Sequence, residues 1–323
     1  MPAPLRQTRT HLMALFEKLG LHPRGDLGQN FLIDLNLLEC IVAEADLGPD
    51  DVVLEIGAGT GGLTTFLAAA GAVVSVEYDP NMYRLALEAT SHLPDVLLLN
   101  CDALKNKNQL NPLVTDAVST RLAAAPGRRF LKLVANLPYH VATPVIANLL
   151  ASDFPWTRMV VTIQYEMAQR LNARPSTSDY GALSVFVQAQ CKVTLVHKLG
   201  PTVFWPRPKV DSAIVRIEPD LEARSRIHDR AALQSFLRDV FTQRRKVLGG
   251  VLAQMYKGRL TRAEIDELLG ELKIPADSRA EALEVAQLVA LSNRLQRSVA
   301  GETLANRHDE SGTTGDEGED PSP

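Results

Sequence analysis

Four consecutive residues in the middle of the chain could prepare an aromatic amine for alkylation. The sequence Asn136-Leu137-Pro138-Tyr139 follows the apolar segment Phe130–Val134. The exocyclic amine of adenine is a poor nucleophile, because its lone pair is delocalised into the ring. The Asn136 side-chain oxygen and the Pro138 carbonyl could accept its two N–H bonds and localise the lone pair, while Tyr139 could stack on the base. Positioning and electrostatics suffice for such a transfer, although Asn and Pro are also ordinary turn residues.

A glycine-rich segment has the features of a nucleotide-binding turn. Residues 52–64 read VVLEIGAGTGGLT, which combines an apolar strand, a turn and the start of a helix. Gly57, Gly59 and Gly62 satisfy the G-x-G-x-x-G pattern, which lets a ligand approach the backbone. Glu77 ends the next strand 20 residues after Gly57, where its carboxylate could accept bonds from both ribose hydroxyls. Both NAD and S-adenosylmethionine (SAM) fit this pattern, and so does a turn that serves only packing.

A further carboxylate, Asp102, follows the third strand in the sequence LLLNCD. In an open α/β sheet, ligands lie at the carboxyl ends of the strands, so Asp102 could accept a proton from the amino group of adenine. A solvated loop aspartate is an equally good interpretation of this residue alone.

Alternating strands and helices would position these residues at one edge of a parallel sheet. The predicted strands are Val52–Ile56, Val73–Glu77, Val96–Leu99, Phe130–Val134 and Met159–Ile163. The predicted helices among them are Asn36–Glu44, Leu63–Ala70, Asn81–Thr90 and Pro144–Leu150. Such alternation indicates an α/β fold with helices on both faces of the sheet. Three further strands would form an antiparallel edge hairpin, namely Ser184–Gln190, Lys192–His197 and Ser212–Ile217.

The chain after Pro219 has the pattern of a smaller, all-helical domain. Asp229 can cap a helix that reaches Leu252, and Thr261–Glu264 and Ser278–Glu281 both fit the capping box. We therefore predict a first domain over residues 1–219 with a basic N-terminal arm. A helical domain would cover residues 220–300, and a disordered acidic tail residues 301–323.

Composition and charge exclude several classes of protein. With 46% hydrophobic residues the chain is too apolar for a disordered protein. The longest mostly apolar run, Leu63–Val76, is too short to span a bilayer, and no signal-peptide core is present. Cys40, Cys101 and Cys191 are too far apart for a disulfide framework or a zinc site, so we predict no metal. We expect a cytoplasmic protein without a membrane partner.

The formal net charge of −4 is unevenly distributed along the chain. Six of the 38 acidic residues and none of the 34 basic ones lie in His308–Pro323, so the rest of the chain is slightly basic. Residues 238–262 hold seven Lys or Arg and a single acid, Asp239. Such clustering is typical of phosphate binding, although runs of charge are more often solvated helix faces.

At these motifs the chain resembles the small-subunit ribosomal RNA adenine N6,N6-dimethyltransferases. The resemblance covers about residues 28–296. Besides the glycine turn and NLPY, it rests on segments 28–32 (GQNFL), 164–171 (QYEMAQRL), 179–185 (DYGALSV), 204–212 (FWPRPKVDS) and 241–248 (FTQRRKVL). It implies a Rossmann-like SAM-dependent methyltransferase sheet with a helical RNA-binding domain. One departure is the 33-residue segment between Asp102 and Asn136, whose KNKNQLNP and AAAPGRR portions look like an inserted surface loop or helix.

The resemblance also implies roles for individual residues. Those expected to contact SAM are Asn30, Leu32, Gly57, Gly59, Glu77, Asp102 and Asn136, the first two through their backbone or side chain. Those expected at the methyl-transfer step are Asn136, Leu137, Pro138, Tyr139 and Phe204, with Tyr139 and Phe204 sandwiching the target adenine. Phe204 could be a core aromatic instead, but Pro206 and Pro208 make a stiff loop that favours its display. Those expected to contact RNA phosphates are Arg207, Lys209, Arg244, Arg245 and Lys246.

We therefore predict a SAM-dependent enzyme that dimethylates two adjacent adenosines in a hairpin loop near the 3′ end of small-subunit rRNA. A base in a loop is easier to extrude than one in a duplex. The expected partner is the rRNA of a pre-30S-type particle, and the expected state is a monomer. Three alternatives stay open: a large-subunit adenine methylase of the antibiotic-resistance type, a binding factor that keeps the fold without needing catalysis, and an NAD oxidoreductase.

Overall fold

The computed structural model describes residues 7–124 and 127–310, which divide into two units. The first unit comprises the chain up to residue 173 together with 190–224, and the second comprises 174–189 together with the chain from 225 onward. The strands are β1 (Phe31–Leu32), β2 (Asp51–Ile56), β3 (Ala72–Glu77), β4 (Val96–Asn100), β5 (Leu104–Asn106), β6 (Gln109–Leu110), β7 (Phe130–Asn136), β8 (Trp156–Gln164), β9 (Cys191–Leu199), β10 (Phe204–Trp205) and β11 (Ser212–Pro219). The helices are α1 (Arg9–Leu19), α2 (Leu35–Ala45), α3 (Gly62–Leu67), α4 (Pro80–Thr90), α5 (Pro112–Ala123), α6 (Tyr139–Ala151), α7 (Tyr165–Leu171), α8 (Ala182–Gln188), α9 (Leu221–Ser225), α10 (Arg230–Phe241), α11 (Leu248–Met255), α12 (Arg262–Glu271) and α13 (Val285–Glu310).

A seven-stranded sheet forms the centre of the first unit, in the order β4-β3-β2-β7-β8-β11-β9. Strands β4, β3, β2, β7 and β8 are parallel, whereas β11 pairs antiparallel with both β8 and β9. Every residue of β2 and β3 is buried. Because successive side chains of a strand point to opposite faces, both faces of the sheet are covered there. The predicted α/β class with an antiparallel edge is confirmed.

Short polar side chains begin the helices that flank the ligand edge of the sheet. Asp79 accepts a hydrogen bond from the Asn81 N–H at the start of α4, whose first residue is Pro80. Asn111 does the same for the Leu113 N–H at the start of α5. These caps satisfy amides that have no partner within the helix, which fixes where each helix begins after its strand.

The prediction of a strand at Ser184–Gln190 is wrong, because this segment lies in helix α8 (Ala182–Gln188). Val185, Phe186 and Val187 are buried consecutively, whereas a half-buried strand would bury alternate residues. A helix satisfies its own backbone hydrogen bonds, so an enclosed segment can be helical despite side chains that favour strands. The edge of the sheet is formed by β11 and β9 alone.

The single helix predicted from Asp229 to Leu252 is interrupted. Asp229 caps α10 as expected, through the Ala232 N–H, but α10 ends at Phe241 and α11 begins at Leu248. The Leu248 N–H donates to the Ser278 carbonyl (2.8 Å), and Val247 forms an isolated bridge with Arg279. The backbone between the two helices therefore pairs with a distant segment of the second unit instead of continuing the helix. The TQRRKV sequence lies in this connection, where it is held as a turn.

Of the two predicted capping boxes, only the first begins an α-helix. Thr261 and Glu264 form the reciprocal bonds at the start of α12. At the second, Ala280–Ala282 makes a single 3₁₀ turn, and the next α-helix begins at Val285. Glu284 precedes that helix and donates its backbone N–H to the Gln287 side chain (3.0 Å).

The structure divides the chain differently from the predicted boundaries at residues 219 and 300. Residues 174–189 belong to the second unit, because α8 packs on α10 within it. Helix α13 runs to Glu310, into the predicted disordered tail, since residues 301–310 include good helix formers and no proline. Residues 311–323 lie outside the described part of the chain. Among the described residues, no helix is long and apolar enough to cross a membrane.

Candidate active site

A cavity of about 490 Å³ opens in the first unit beside the carboxyl ends of β2, β3, β4 and β7. Most of the residues predicted to act on a cofactor or on a base line it together. They are Asn30, Gly57, Gly59, Glu77, Asp102, Asn136, Leu137, Pro138 and Tyr139. The parallel sheet explains this convergence, because its strands end at a common edge.

The glycine turn approaches its neighbours so closely that side chains are excluded. Gly57, Gly59 and Gly61 have positive φ angles of 85°, 57° and 81°. A Cβ atom on Gly57 would lie 3.0 Å from the Pro138 Cδ, and one on Gly59 would lie 3.0 Å from the Phe31 Cε1. The turn therefore exposes backbone to the cavity, as close approach of a ligand requires.

The Glu77 carboxylate is fixed against this turn by backbone amides. Its Oε2 accepts from the Gly59 N–H (2.7 Å) and its Oε1 accepts from the Asp79 N–H (2.8 Å). Burial raises the pKa of Glu77, while these two hydrogen bonds oppose the rise. Each carboxylate oxygen keeps a lone pair, so Glu77 can still accept two bonds from a bound diol.

The Asn136 side chain is oriented by the loop that precedes β1. Its Nδ2 donates to the Asn30 carbonyl (2.9 Å), so Oδ1 is left as the acceptor atom of this cavity-lining amide. The Pro138 carbonyl accepts from the Val141 N–H (3.0 Å) at the start of α6, so one of its lone pairs is already engaged. Asn136 is thus the best-defined acceptor at this end of the cavity.

The Tyr139 ring is tethered at its hydroxyl. The hydroxyl lies 2.6 Å from the Ser212 Oγ, and Ser212 is fully buried as the first residue of β11. Burial raises the pKa of Tyr139, and the bond to Ser212 partly offsets this. The tether connects the NLPY segment to the end of the FWPRPKVDS segment.

We expect the Tyr139–Ser212 bond to act as one unit on the RNA step. Ser212→Ala and Tyr139→Phe should each lower kcat/KM for RNA by about 3- to 10-fold, because each removes the same hydrogen bond. The double variant should lose no more than either single variant. Steady-state kinetics of the three variants test this, and Ser212→Thr should rescue activity. Losses that multiply in the double variant would show that the two residues act independently.

A buried acid, Glu55, lies behind the glycine turn. It is 1% exposed on β2, and its Oε2 accepts from the Thr64 hydroxyl (2.7 Å) and the Ser75 hydroxyl (2.6 Å). It thereby connects α3 and β3 to the strand that leads into the turn. Burial raises the pKa of Glu55 to about 7, despite these two bonds. Sequence reasoning missed both Glu55 and Ser212, although a lone charge within the apolar strand VVLEI was a signal for the former.

Glu55 should make the stability of the protein depend on pH. The folded state keeps a proton on Glu55 up to about pH 7, whereas the unfolded chain releases it near pH 4.5. The free energy of unfolding should therefore fall as pH rises across this window, by about 2–3 kcal/mol from this group. Glu55→Gln keeps an acceptor for both hydroxyls and should lack this fall. Urea unfolding of both proteins at pH 5 and pH 8 tests it, and identical pH slopes would contradict the assignment.

Two of the predicted site residues, Phe204 and Leu32, have their side chains in the core; a contact of the Leu32 backbone with SAM stays a prediction. Phe204 is 2% exposed and Leu32 is 8% exposed, and the two pair in the short β1–β10 sheet. Both belong to a core cluster that includes Ile41 and Ile214. The prolines that follow Phe204 do not control its direction, because pairing with β1 turns the ring inward. The expectation that Phe204 is displayed to stack on a base is therefore wrong in this arrangement.

The predicted RNA-binding residues differ in their availability. Arg207, Lys209, Arg245 and Lys246 are exposed. Arg244 is not free: its guanidinium donates to the Ser178 and Tyr180 carbonyls (3.0 and 2.8 Å) and pairs with Glu281 (3.3 Å). Arg244 therefore holds the second unit together, which corrects its assignment as a phosphate ligand.

The described residues include no group of three His, Cys, Asp or Glu side chains placed to hold a metal ion. The chemistry available at the cavity is that of hydrogen-bond acceptors, an exposed glycine backbone and an aromatic ring. Together with the sheet order, these groups define a Rossmann-like fold whose cavity suits a nucleotide cofactor, the arrangement found in SAM-dependent methyltransferases.

Comparison with known proteins identifies the family. Residues 20–297 match the ribosomal RNA adenine dimethylases, and the chain belongs to this family. A protein of Pediococcus pentosaceus named ribosomal RNA small subunit methyltransferase A is 37% identical over 89% of this chain and 94% of its own. One of the same name from Halothermothrix orenii is 35% identical over 90% of this chain and 94% of its own. The predicted family is confirmed.

Two solved structures share the fold. A dimethyladenosine transferase from Plasmodium falciparum has a TM-score of 0.65 at 23% identity, covering 82% of this chain and 97% of that one. The 23S rRNA methyltransferase ErmE has a TM-score of 0.54 at 25% identity, covering 83% of this chain and all of that one. One is named for dimethyladenosine and the other for 23S rRNA, so the shared fold alone does not identify the substrate of this chain.

Proposed function

We propose that this protein transfers methyl groups from SAM to N6 of two adjacent adenosines in a hairpin loop of small-subunit rRNA. The observation that carries the proposal is the Asn136 amide, whose nitrogen is held by the Asn30 carbonyl while its oxygen remains an acceptor at the cavity. The names of the curated relatives support the small-subunit target. An NAD-dependent hydride transfer would not need the acceptors and the stacking ring that the NLPY segment offers to an aromatic amine.

The cavity suits SAM in its donor and acceptor groups. The bare backbone of Gly57 and Gly59 would lie along the methionine part, and the fixed Glu77 carboxylate would accept from the ribose hydroxyls. Asp102 uses its Oδ1 to accept from the Leu104 N–H (2.9 Å), which leaves Oδ2 for the amino group of adenine. SAM supplies an electrophilic methyl group on a sulfonium.

The residues of the chain act on the target base by position and polarity. Asn136 Oδ1 accepts one N–H of the adenine amine, and a backbone carbonyl of Leu137 or Pro138 accepts the other, which directs the nitrogen lone pair towards the methyl group. Tyr139, held by Ser212, provides a stacking face. The methylated ammonium is acidic and releases its proton to solvent, so no general base is needed. The partly open cavity lets the monomethylated amine return for a second transfer.

The natural substrate on this proposal is a pre-30S-type particle, and the enzyme acts as a cytoplasmic monomer. Assays with radiolabelled SAM should show methyl incorporation into such particles but not into naked 23S rRNA. Incorporation only into 23S rRNA would overturn the proposed target.

Titration calorimetry should detect binding of SAM and not of NADH, and the reverse result would overturn the cofactor. Analytical ultracentrifugation tests the monomer, and a stable dimer would contradict it.

A further inference from the structure

The segment after Asp102 forms a hairpin at the mouth of the cavity. Strands β5 and β6 pair antiparallel, and the turn between them closes through the Asn108 N–H, which donates to the Asn106 Oδ1 (2.9 Å). Lys105, Asn106 and Lys107 line the cavity. The proposed function leaves this hairpin without a role.

The hairpin is anchored to the residue that would hold the adenine of SAM. Asp102 accepts the Leu104 N–H through its Oδ1 (2.9 Å), and its carbonyl accepts from the Asn111 Nδ2 (2.7 Å). The Asn111 N–H donates to the Ala103 carbonyl (2.9 Å), and Leu110 is buried at 6% exposure. Both ends of the hairpin are therefore fixed, which places its two lysines at a defined position on the rim.

The hairpin adds positive charge to a cavity whose other charged groups are acidic. Glu77 contributes a buried carboxylate and Asp102 an exposed one, and Lys105 and Lys107 are exposed. Within the described residues neither lysine forms an ion pair. Two lysines without an ion-pair partner at the mouth of a cavity attract an anion that binds at the rim.

We propose that Lys105 and Lys107 bind the backbone phosphates that flank the target adenosine. This inference rests on the proposed function, because a nucleotide inserted into the cavity brings its neighbouring phosphates to the rim. RNA is favoured over SAM as the ligand on two grounds. The sulfonium of SAM is cationic, and its carboxylate would lie at the glycine turn, whereas the hairpin adjoins Asp102 at the adenine end.

Salt-dependent RNA binding tests the assignment. The double variant Lys105→Gln/Lys107→Gln should bind a small-subunit rRNA fragment about tenfold more weakly near 150 mM salt. Its slope of log affinity against log salt should become shallower by about 0.7–0.9 for each phosphate that the protein no longer neutralises. Lys105→Arg/Lys107→Arg should keep the wild-type slope, and the SAM affinity of all variants should be unchanged.

A matched control removes the same charge elsewhere. Lys192 on β9 and Lys273 after α12 are exposed and do not line the cavity, so Lys192→Gln/Lys273→Gln should retain the wild-type slope. An unchanged slope in the hairpin variant, or an equal change in the control, would overturn the proposal. A loss of SAM affinity in the hairpin variant would instead assign the lysines to the cofactor. Methylation of the RNA by the wild-type protein, measured in the same preparation, tests the proposed function separately from the role of the two lysines.

Discussion

Replacing Asn136 by alanine should lower kcat for methyl transfer by about 10²–10³-fold, or ~3–4 kcal/mol of transition-state stabilisation. The Asn136 oxygen is the side-chain acceptor that we assign to the target amine, and its orientation depends on the Asn30 carbonyl. Without it the nitrogen lone pair stays delocalised and is not directed at the methyl group. Single-turnover methylation of the RNA substrate measures the loss directly.

Two controls separate this effect from loss of folding or of cofactor. The urea midpoint of Asn136→Ala should stay close to that of the wild type, and its Kd for SAM should change far less than kcat. Asn136→Asp keeps acceptor oxygens but cannot donate to the Asn30 carbonyl, so it should also lose activity. A wild-type kcat in Asn136→Ala would remove Asn136 from the methyl-transfer step.

Glu77 should have its largest effect on SAM binding. Glu77→Ala removes two charge-assisted bonds to the ribose, and we expect the Kd for SAM to rise about 100-fold. Glu77→Gln should be almost as damaging, because its single amide oxygen cannot serve the Gly59 and Asp79 N–H groups as both carboxylate oxygens do. Calorimetry measures both values.

The matched control for Glu77 is Glu88→Gln, which removes an exposed carboxylate from the following helix, α4. It should leave the Kd for SAM unchanged. If Glu77→Ala bound SAM as tightly as the wild type while remaining folded, the ribose would have to lie elsewhere in the cavity.

The parallel sheet could be predicted because its determinants are local. Apolar strands such as Phe130–Val134, a glycine turn and an acid at the end of the next strand are each visible within a few residues. The predicted strand Val52–Ile56 is almost the whole of β2, and the NLPY segment begins at the last residue of β7. The residues gathered at the cavity follow from the common edge of parallel strands, which the alternation of elements already implies.

The errors concern properties that distant contacts determine. Phe204 is turned inward by pairing with Leu32, which lies far away in the sequence, while its neighbouring prolines suggested display. Arg244 donates to the carbonyls of residues 178 and 180. A run of basic residues in the sequence carries no information about such distant acceptors. Helix α8 is built from residues that favour strands, because its position in the second unit overrides their preference.

Dimethylation of adenosine in small-subunit rRNA is the central claim. The most direct test maps methylated adenosines in rRNA from cells with and without this protein. We predict that N6,N6-dimethyladenosine at two adjacent positions near the 3′ end of small-subunit rRNA disappears without it and returns with the wild type but not with Asn136→Ala. Unchanged small-subunit methylation, or methylation that disappears only from large-subunit rRNA, would contradict this claim.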